Sequence, residues 1–389
     1  MANTFKFGNG EWAIGKETVL AYNDENNNFK PLPFTFDRAS TATVVNSDGL
    51  IETVGVDEPR IDFLNNSKGH LLLEPSRQNL ITNYTGASFT AFNGASITAN
   101  DSVSPDGTTN ATLMTTTGSA SELIQQASIS ITSGQSYTVS GYFKLKSGTL
   151  SDPDNAFKGL DGLNGGGITG STFNSTLTSE WQRLSFTVTS STTSGRVQIK
   201  CEDAAEILVW GLQVELGAYE TSIIPTSGQS GGVTRSAETC DGAGNSTVFN
   251  DSEGVLYVEI AALADDGTNR RLSINDNVFD NDRVLIGYSS NSNEIQGQSR
   301  TGSSTQAALA HTVSDATSFH KIAMKYKAND FALWIDGVEV DTDLNGTSPA
   351  GLIVAAFDRG ATQDFYGKVK DFRVYDTALS DSELQTLTT

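Results

Sequence analysis

Residues 210–240 read WGLQVELGAYETSIIPTSGQSGGVTRSAETC, and the opening of this stretch decides the fold class. Leu208, Trp210, Leu212, Val214 and Leu216 alternate with Val209, Gly211, Gln213 and Glu215, which is the period of a strand with one dry face. Trp210 is thereby expected in a core. After Ile224 the text changes character. Pro225, Ser227, Gly228, Gln229, Ser230, Gly231 and Gly232 sustain neither a ladder nor a helix, so a solvated connection and a domain boundary are expected there.

The same texture extends outward. The chain has 389 residues, room for two or three compact domains. Its 37 glycines and many Ser, Thr and Asn divide short alternating runs, with no sustained helical period, so the profile is all-β. Asp plus Glu total 46 against 25 for Lys plus Arg, a formal charge of −21, which repels a phosphate backbone and argues against nucleic acid as a partner. The two cysteines, Cys201 and Cys240, offer neither a disulfide framework nor a metal-ligand spacing. No apolar run reaches the length of a membrane span and no leader pattern follows Met1, so no membrane partner and a cytoplasmic origin are expected.

Residues 1–80 are irregular, with turn clusters at 23–28 and 31–33 and short apolar runs at 19–22, 61–64 and 71–73. Too sparse for a large core, this segment is expected to fold against a neighbour and to act as an anchor. Residues 81–222 carry SYTVSGYFKL, WQRLSFTV, RVQIKC and ILVWGLQVEL, the runs of a sandwich or jelly roll. Its expected core is Tyr137, Val139, Gly141, Phe143 and Leu145, with Leu184, Phe186 and Val188, and Val197, Ile199 and Cys201. The opposite faces carry Tyr142, Lys144, Trp181, Arg183, Gln198 and Lys200. Aromatic rings beside cations and an amide are what a pyranose needs, its C–H side stacking while its hydroxyls find polar partners. Tyr142, Trp181 and Arg183 are therefore candidate glycan-binding residues; the other readings are that Trp181 folds over the sandwich edge or that the face packs on another subunit.

Residues 223–247 read as a Gly/Ser/Pro linker, and residues 248–389 as a second sandwich, with hairpin signals at Asn329-Asp330 and Asp336-Gly337. Ser380 and Glu383 make a capping box, with Leu379 and Leu384 as a staple, which predicts a short terminal helix. In FALWIDG, Phe331, Leu333 and Ile335 share one face and Trp334 points the other way, as a ligand platform, a subunit contact, or a residue capped by its own loops.

Catalytic patterns are present but incomplete. Residues 228–232 match G-x-S-x-G without the strand-to-helix turn that exposes a nucleophile. Glu339, Asp341 and Asp343 lie on one strand face like the paired acids of laminarinase-type glycosidases, but the last acid is Asp343 rather than glutamate and leads straight into a turn. No enzyme activity is expected. Asp276, Asp280 and Asp282, in NDNVFDNDR, form an oxygen-rich loop that is a calcium candidate without EF-hand spacing; otherwise no cofactor is implied.

Three stretches carry resemblances. Gln213, Glu215, Gly217, Thr221, Ile224, Pro225, Thr226, Gly228, Thr234, Arg235, Ala237 and Glu238 resemble a connector of tailed-bacteriophage structural proteins. Phe36, Arg38, Ser40, Thr41, Asn46, Gly49, Leu50, Ile51, Pro59, Arg60, Asp62, Leu73, Glu74, Pro75 and Asn79 resemble the N-terminal segment of fibre-like phage virion proteins. GYFKLKSG, EWQRLSFTV and ILVWGLQVELG resemble carbohydrate-binding-type jelly rolls, and His320, Tyr326, Leu333, Asp336, Gly337, Gly367, Phe372, Tyr375 and Glu383 a laminin-G or concanavalin A-like sandwich. The resemblances imply a virion structural protein (head fibre, decoration or tail-associated fibre), assembled in a host bacterial cytoplasm. They also imply attachment to other virion proteins through the N-terminal segment, a homotrimer, and cell-surface or environmental glycans as ligands. The expected architecture is thus two β-sandwich domains in tandem after an anchor. The alternatives are a polysaccharide-active enzyme or its accessory chain, and a capsid decoration without ligand.

Overall fold

A computed structural model describes residues 4–21, 32–160, 170–278, 281–360 and 362–389. The chain is almost entirely β and forms two compact units. One comprises residues 1–49, 54–75 and 237–389, and the other 50–53 and 76–236. The second unit is therefore inserted within the sequence of the first, and the fourfold division at residues 80, 222 and 247 gives way to this one.

The first unit is a sandwich of an eight-stranded and a nine-stranded sheet. The eight-stranded sheet runs Val338–Asp343, Phe331–Ile335, His320–Lys327, Glu253–Ala262, Gly367–Tyr375, His70–Leu73, Ile61–Asp62, with Phe5–Gly8 also on Gly367–Tyr375. The nine-stranded sheet runs Ile14–Gly15, Thr18–Ala21, Leu32–Asp37, Thr239–Ala243, Val354–Ala356, Arg270–Asn275, Arg283–Tyr288, Glu294–Thr301, Ser304–Thr312. The N-terminal segment thus supplies strands to both sheets instead of standing apart as an anchor. The physical reason is that Gly367–Tyr375 and Thr239–Ala243 would otherwise be open edges. Phe5, Phe7 and Phe34 meet Phe357 and Phe372, with Phe7 stacked on Phe372 at 5.7 Å and Phe34 at 5.3 Å from Phe357. Each such fully buried ring stabilises the unit by about 1.5–3 kcal/mol.

Four fully buried charged groups fasten the same segment. Glu238 accepts from Arg38 Nη1 at 2.8 Å, Arg60 Nε at 2.8 Å, Arg60 Nη2 at 2.5 Å and the Glu74 backbone N–H at 2.8 Å. Arg60 Nη1 also pairs with Glu74 Oε2 at 2.8 Å. Arg38, Arg60, Glu74 and Glu238 all carried the phage resemblances, and in the fold they hold the unit together. A buried pair survives desolvation only with such complete hydrogen bonding.

The inserted unit packs two five-stranded sheets. Thr90–Phe92, Leu123–Ser130, Ser194–Lys200, Ala156–Gly159 and Gly170–Thr172 form one, and Ser96–Val103, Thr109–Thr115, Ala205–Leu216, Ser136–Gly148 and Gln182–Thr189 the other. Tyr137, Val139, Phe143, Leu184, Val197, Ile199 and Cys201 are in the core as expected, with Leu145, Phe186 and Val188 packed against it. The strand Ala205–Leu216 departs from the expected pattern. Its core residues are Ile207, Val209, Leu212 and Val214, whereas Leu216 is half exposed. A register shift falls between Ser140 paired with Gln213 and Tyr142 paired with Trp210, and Gly211 has φ 64°. That bulge swaps the faces, because one extra residue reverses a period of two. Trp210 is buried, but on the opposite face from the core cluster, edge-on to Tyr84 at 5.2 Å and Tyr142 at 5.8 Å.

The expected linker contributes two strands to the ladders. Val233–Arg235 pairs with Arg77–Asn79, and Thr239–Ala243 is a central strand of the nine-stranded sheet. Between Gly217 and Thr226 the chain folds back on its own strand. Glu215 accepts from the Thr221 N–H at 2.8 Å and hydroxyl at 2.7 Å, and Gln213 accepts from the Ile224 N–H at 2.8 Å. The Asn79 amide donates to the Leu212 and Ile224 carbonyls at 3.0 and 2.9 Å. These side chains satisfy the backbone groups that a Pro- and Gly-rich stretch cannot pair with itself.

Candidate functional site

Of the residues read as a sugar face, the fold brings Tyr142 and Arg183 together and places Gln198 and Lys200 elsewhere. Tyr142 and Arg183 are register partners, and the guanidinium carbon lies 5.7 Å from the tyrosine ring centroid. Arg183 then donates to the Thr221 carbonyl at 2.8 Å and the Ser140 hydroxyl at 3.1 Å, so the folded-back segment engages the arginine and the ring packs on Trp210. Trp181 is half-buried and its Nε1 donates to the Val103 carbonyl at 3.2 Å. Gln198 and Lys200 lie in the other sheet, where Gln198 donates to Gln125 at 2.8 Å.

Trp334 is 7% exposed and sits in a small cluster with Tyr257, Ala332, Leu379 and Leu384. The terminal helix Asp381–Thr388 supplies Leu384 to that cluster, and its capping box is formed, Ser380 N–H donating to Glu383 at 2.9 Å. Of the three readings, capping by the chain's own helix is the one observed.

Two acids of the calcium-candidate loop accept hydrogen bonds from the chain itself. Asp276 accepts from the Val278 N–H at 3.0 Å and the Asn281 amide at 2.6 Å, and Asp282 from the N–H groups of Gly302 at 3.2 Å and Ala350 at 2.9 Å. Asp280 lies outside the described residues. Among the described residues, the grouped carboxylates with metal-like spacing are Asp152, Asp154 and Glu202, where Lys200 already sits 2.6 Å from Glu202. Asp341 accepts the Ala310 N–H at 3.0 Å, blunting the edge strand Ser304–Thr312. His320 is held between Asp336 at 2.6 Å and the Asp315 carbonyl at 3.0 Å.

A site that the sequence reading missed lies on the nine-stranded sheet. Phe36, Cys240, Ala355 and Ile274 point into the core of the first unit. By alternation, Thr35, Asp241, Ala356 and Asn275 point the other way, and Thr35, Asp241, Ala356 and Ser273 are successive register partners across four strands. Thr35, Asp241, Asn275 and Ala356, with Gly242, Asn277, Val354, Asp358 and Gly360, line a cleft of about 560 Å³. Asp241 accepts the Phe357 N–H at 2.9 Å. Burial, then the charges of Asp358 and Asp364, push its carboxyl up to about 7 against the opposing pull of that N–H. Asn275 donates to Ser273 at 2.8 Å, Ser273 to the Asp358 carbonyl at 2.9 Å, and Asp358 accepts the Gly360 N–H at 2.7 Å. The result is a positioned set of carboxyl, amide and hydroxyl groups beside the small apolar surface of Val354 and Ala356. The alternation of TCDGA around Cys240 was the available signal, since it puts Asp241 opposite a core cysteine.

The profile of the concanavalin A-like lectin/glucanases superfamily matches residues 256–385. That stretch contains Asn275, Asn277, Val354, Ala356, Asp358 and Gly360, whereas Thr35 and Asp241 precede it. No curated protein matches the chain in sequence. Among solved structures, the chain is similar to the Ruminococcus gnavus IT-sialidase CBM40 bound to α2,3 sialyllactose, at 15% identity and TM-score 0.31, over 38% of this chain and 94% of that one. It is also similar to domain 4 of AbnA, a GH43 extracellular arabinanase from Geobacillus stearothermophilus in complex with arabinotriose, at 15% identity and TM-score 0.31, over 39% and 73%. A third is the heptameric SAP-like pentraxin of Limulus polyphemus, at 11% and TM-score 0.28, over 35% and 70%. Likeness at this level says nothing about a ligand. No helix among the described residues is long and apolar enough to cross a membrane.

Proposed function

We propose that the chain is a glycan-binding structural protein, of the bacteriophage-virion kind that its N-terminal and connector sequences resemble, and that it binds without turning its ligand over. The observation that carries the binding reading is the cleft of about 560 Å³ on the polar face of the nine-stranded sheet, where Asp241, Asn275, Asn277, Asp358 and Thr35 converge beside Val354 and Ala356. A volume in this range, with few polar groups fixed by the scaffold, suits one or two sugar rings. Many weak contacts on one particle would add through effective concentration. Attachment to other virion proteins and a homotrimer belong to this proposal and rest on the resemblance alone. Because Phe36, Arg38, Arg60 and Glu74 are buried in their own unit, attachment would fall to exposed parts of the segment.

The test is a glycan array probed with the wild-type chain, Asn275→Ala and Trp181→Ala, with light scattering for the assembly state and antibody labelling of phage particles for location. Binding that survives Trp181→Ala and disappears in Asn275→Ala is expected. Binding lost only in Trp181→Ala, or none to any glycan, overturns the reading. One observation favours a second reading as a polysaccharide-active enzyme: Asp241, raised to about 7 beside Asp358, has the protonation range of a general acid. Release of shorter saccharides, abolished in Asp241→Asn, would establish it.

A further inference from the structure

The cleft is chemically one-sided. Its polar lining is Thr35, Asp241, Asn275, Asn277 and Asp358, with no lysine, arginine or histidine among the described lining residues. Asp241 is half-buried and, among the described residues, its carboxyl accepts one protein hydrogen bond, from the Phe357 N–H. Other acids of this chain are held more fully. Asp203 accepts from Ser151, Asp152 and Asn155, and Asp371 is paired with Arg373 at 2.6 Å. Asp241 keeps acceptor capacity toward a cavity large enough for a ligand.

The charges that act on Asp241 are both acidic, although Arg283, the register partner of Asn275, and Arg271 lie on the same sheet face. The register partners of Asp241 on the flanking strands, Thr35 and Ala356, are uncharged. Asp37 lies two residues beyond Thr35, while Asp358, Arg359 and Asp364 follow Ala356 in sequence. Asp358 and Asp364 act on Asp241 in the same direction as burial, and both disfavour its ionised form. A neutral hydroxyl would leave that charge uncompensated, and an anion would be repelled. An ammonium group would relieve both effects through a charge-assisted bond roughly twice as strong as a neutral one.

Resting on the glycan reading above, we propose that this cleft selects a sugar bearing a free amino group, a hexosamine unit whose ammonium docks on Asp241 while its hydroxyls meet Asn275, Asn277 and Asp358. The proton balance is explicit. Where Asp241 is protonated before binding, the ammonium keeps its protons, and the carboxyl releases one to solvent as the pair forms.

The experiment is calorimetric titration of the full chain with a β-1,4-glucosamine oligomer and its N-acetylated counterpart of equal length. It is run at about pH 5.5, where the oligomer amines are ammonium and Asp241, raised to about 7, is still protonated before binding, in two buffers of different ionisation enthalpy. Affinity for the amino oligomer is expected to exceed that for the acetylated one by roughly tenfold or more, with proton release on binding. Asp241→Asn should remove both the preference and the proton release. Because a chain of charge −21 attracts any polycation, Asp48→Asn, an equal charge change at an exposed position, is the control and should leave affinity within about twofold. Equal affinities for the two oligomers, or equal losses in the two variants, overturn the inference. If another glycan binds in an Asn275-dependent manner without preference for amino sugars, the glycan reading stands and this inference fails; if no glycan binds, both fail.

Discussion

Replacing Glu238 with alanine tests whether the buried ionic cluster holds the first unit together. The Glu238 side chain has no exposure, nor do those of Arg38 and Arg60, and Glu74 has 3%. Two guanidinium and two carboxylate groups cancel in charge, so removing one carboxylate leaves a net positive charge sealed from water. Three guanidinium hydrogen bonds to Glu238 and the Glu74 N–H lose their acceptor at once. Breaking a buried pair from one side costs about 3–5 kcal/mol. For a unit of this size, that is a fall of roughly 6–20 °C in Tm, taking about 2–4 °C per kcal/mol. Calorimetric melting and urea titration of the whole chain would measure it. The comparison is Glu11→Ala, which breaks the partly exposed Lys6–Glu11 pair at 3.2 Å and should cost about 1 kcal/mol or less. If Glu238→Ala loses no more than Glu11→Ala, the cluster contributes no net stability and the account of it as the fastening of this unit is wrong.

Three further outcomes are expected. Asp241→Asn should stabilise the first unit at alkaline pH and have little effect in acid: its folded carboxyl is raised to about 7 from an ordinary 3.8, so the wild type is penalised once pH rises above the unfolded value, and fully above the folded one; melts across that range would show it. Gly211→Ala should destabilise the inserted unit by about 1–3 kcal/mol, because φ is 64° and a Cβ would lie 2.9 Å from the Tyr142 ring; a urea titration with an unchanged midpoint would refute the bulge assignment. Trp334→Ala should cost about 3–5 kcal/mol and loosen the terminal helix by hydrogen exchange, while leaving glycan binding unchanged.

Much of the strand content was legible because one face of each strand is dry. The cores around Tyr137, Val139 and Phe143, the Asp336-Gly337 hairpin with φ 49° and 83°, and the Ser380–Glu383 box follow from local chemistry. The errors have local causes too. Gly211 is small enough to bulge, and one inserted residue exchanged the faces of Leu208 and Trp210 for those of Leu212 and Val214. Gln213 and Glu215 read as lying opposite the dry face because polarity was equated with exposure, yet both are buried and hydrogen-bonded. The destination of Phe5–Gly8, paired with residues 371–374, is a contact between chain ends that no local period encodes.

The candidate site shows the same limit more sharply. Its parts come from Thr35, Asp241, Asn275 and Asp358, on segments far apart in the sequence; four antiparallel strands bring Thr35 and Asp241 into one row with Ala356 and Ser273, with Asn275 and Asp358 each two residues beyond a member of that row. The loop chosen for calcium, Asp276 to Asp282, begins one residue beyond Asn275, which does line the cleft. One position along a strand is the difference between a side chain that faces the cavity and one that ties down a loop. Two of the aromatic residues read as sugar platforms pack within the fold, Tyr142 on Trp210 and Trp334 under the terminal helix. The cleft is lined by carboxyl and amide groups, which in the proposed role would recognise a ligand by hydrogen-bond direction and charge. That is why the amino group, and not the ring face, is the feature on which selectivity should turn.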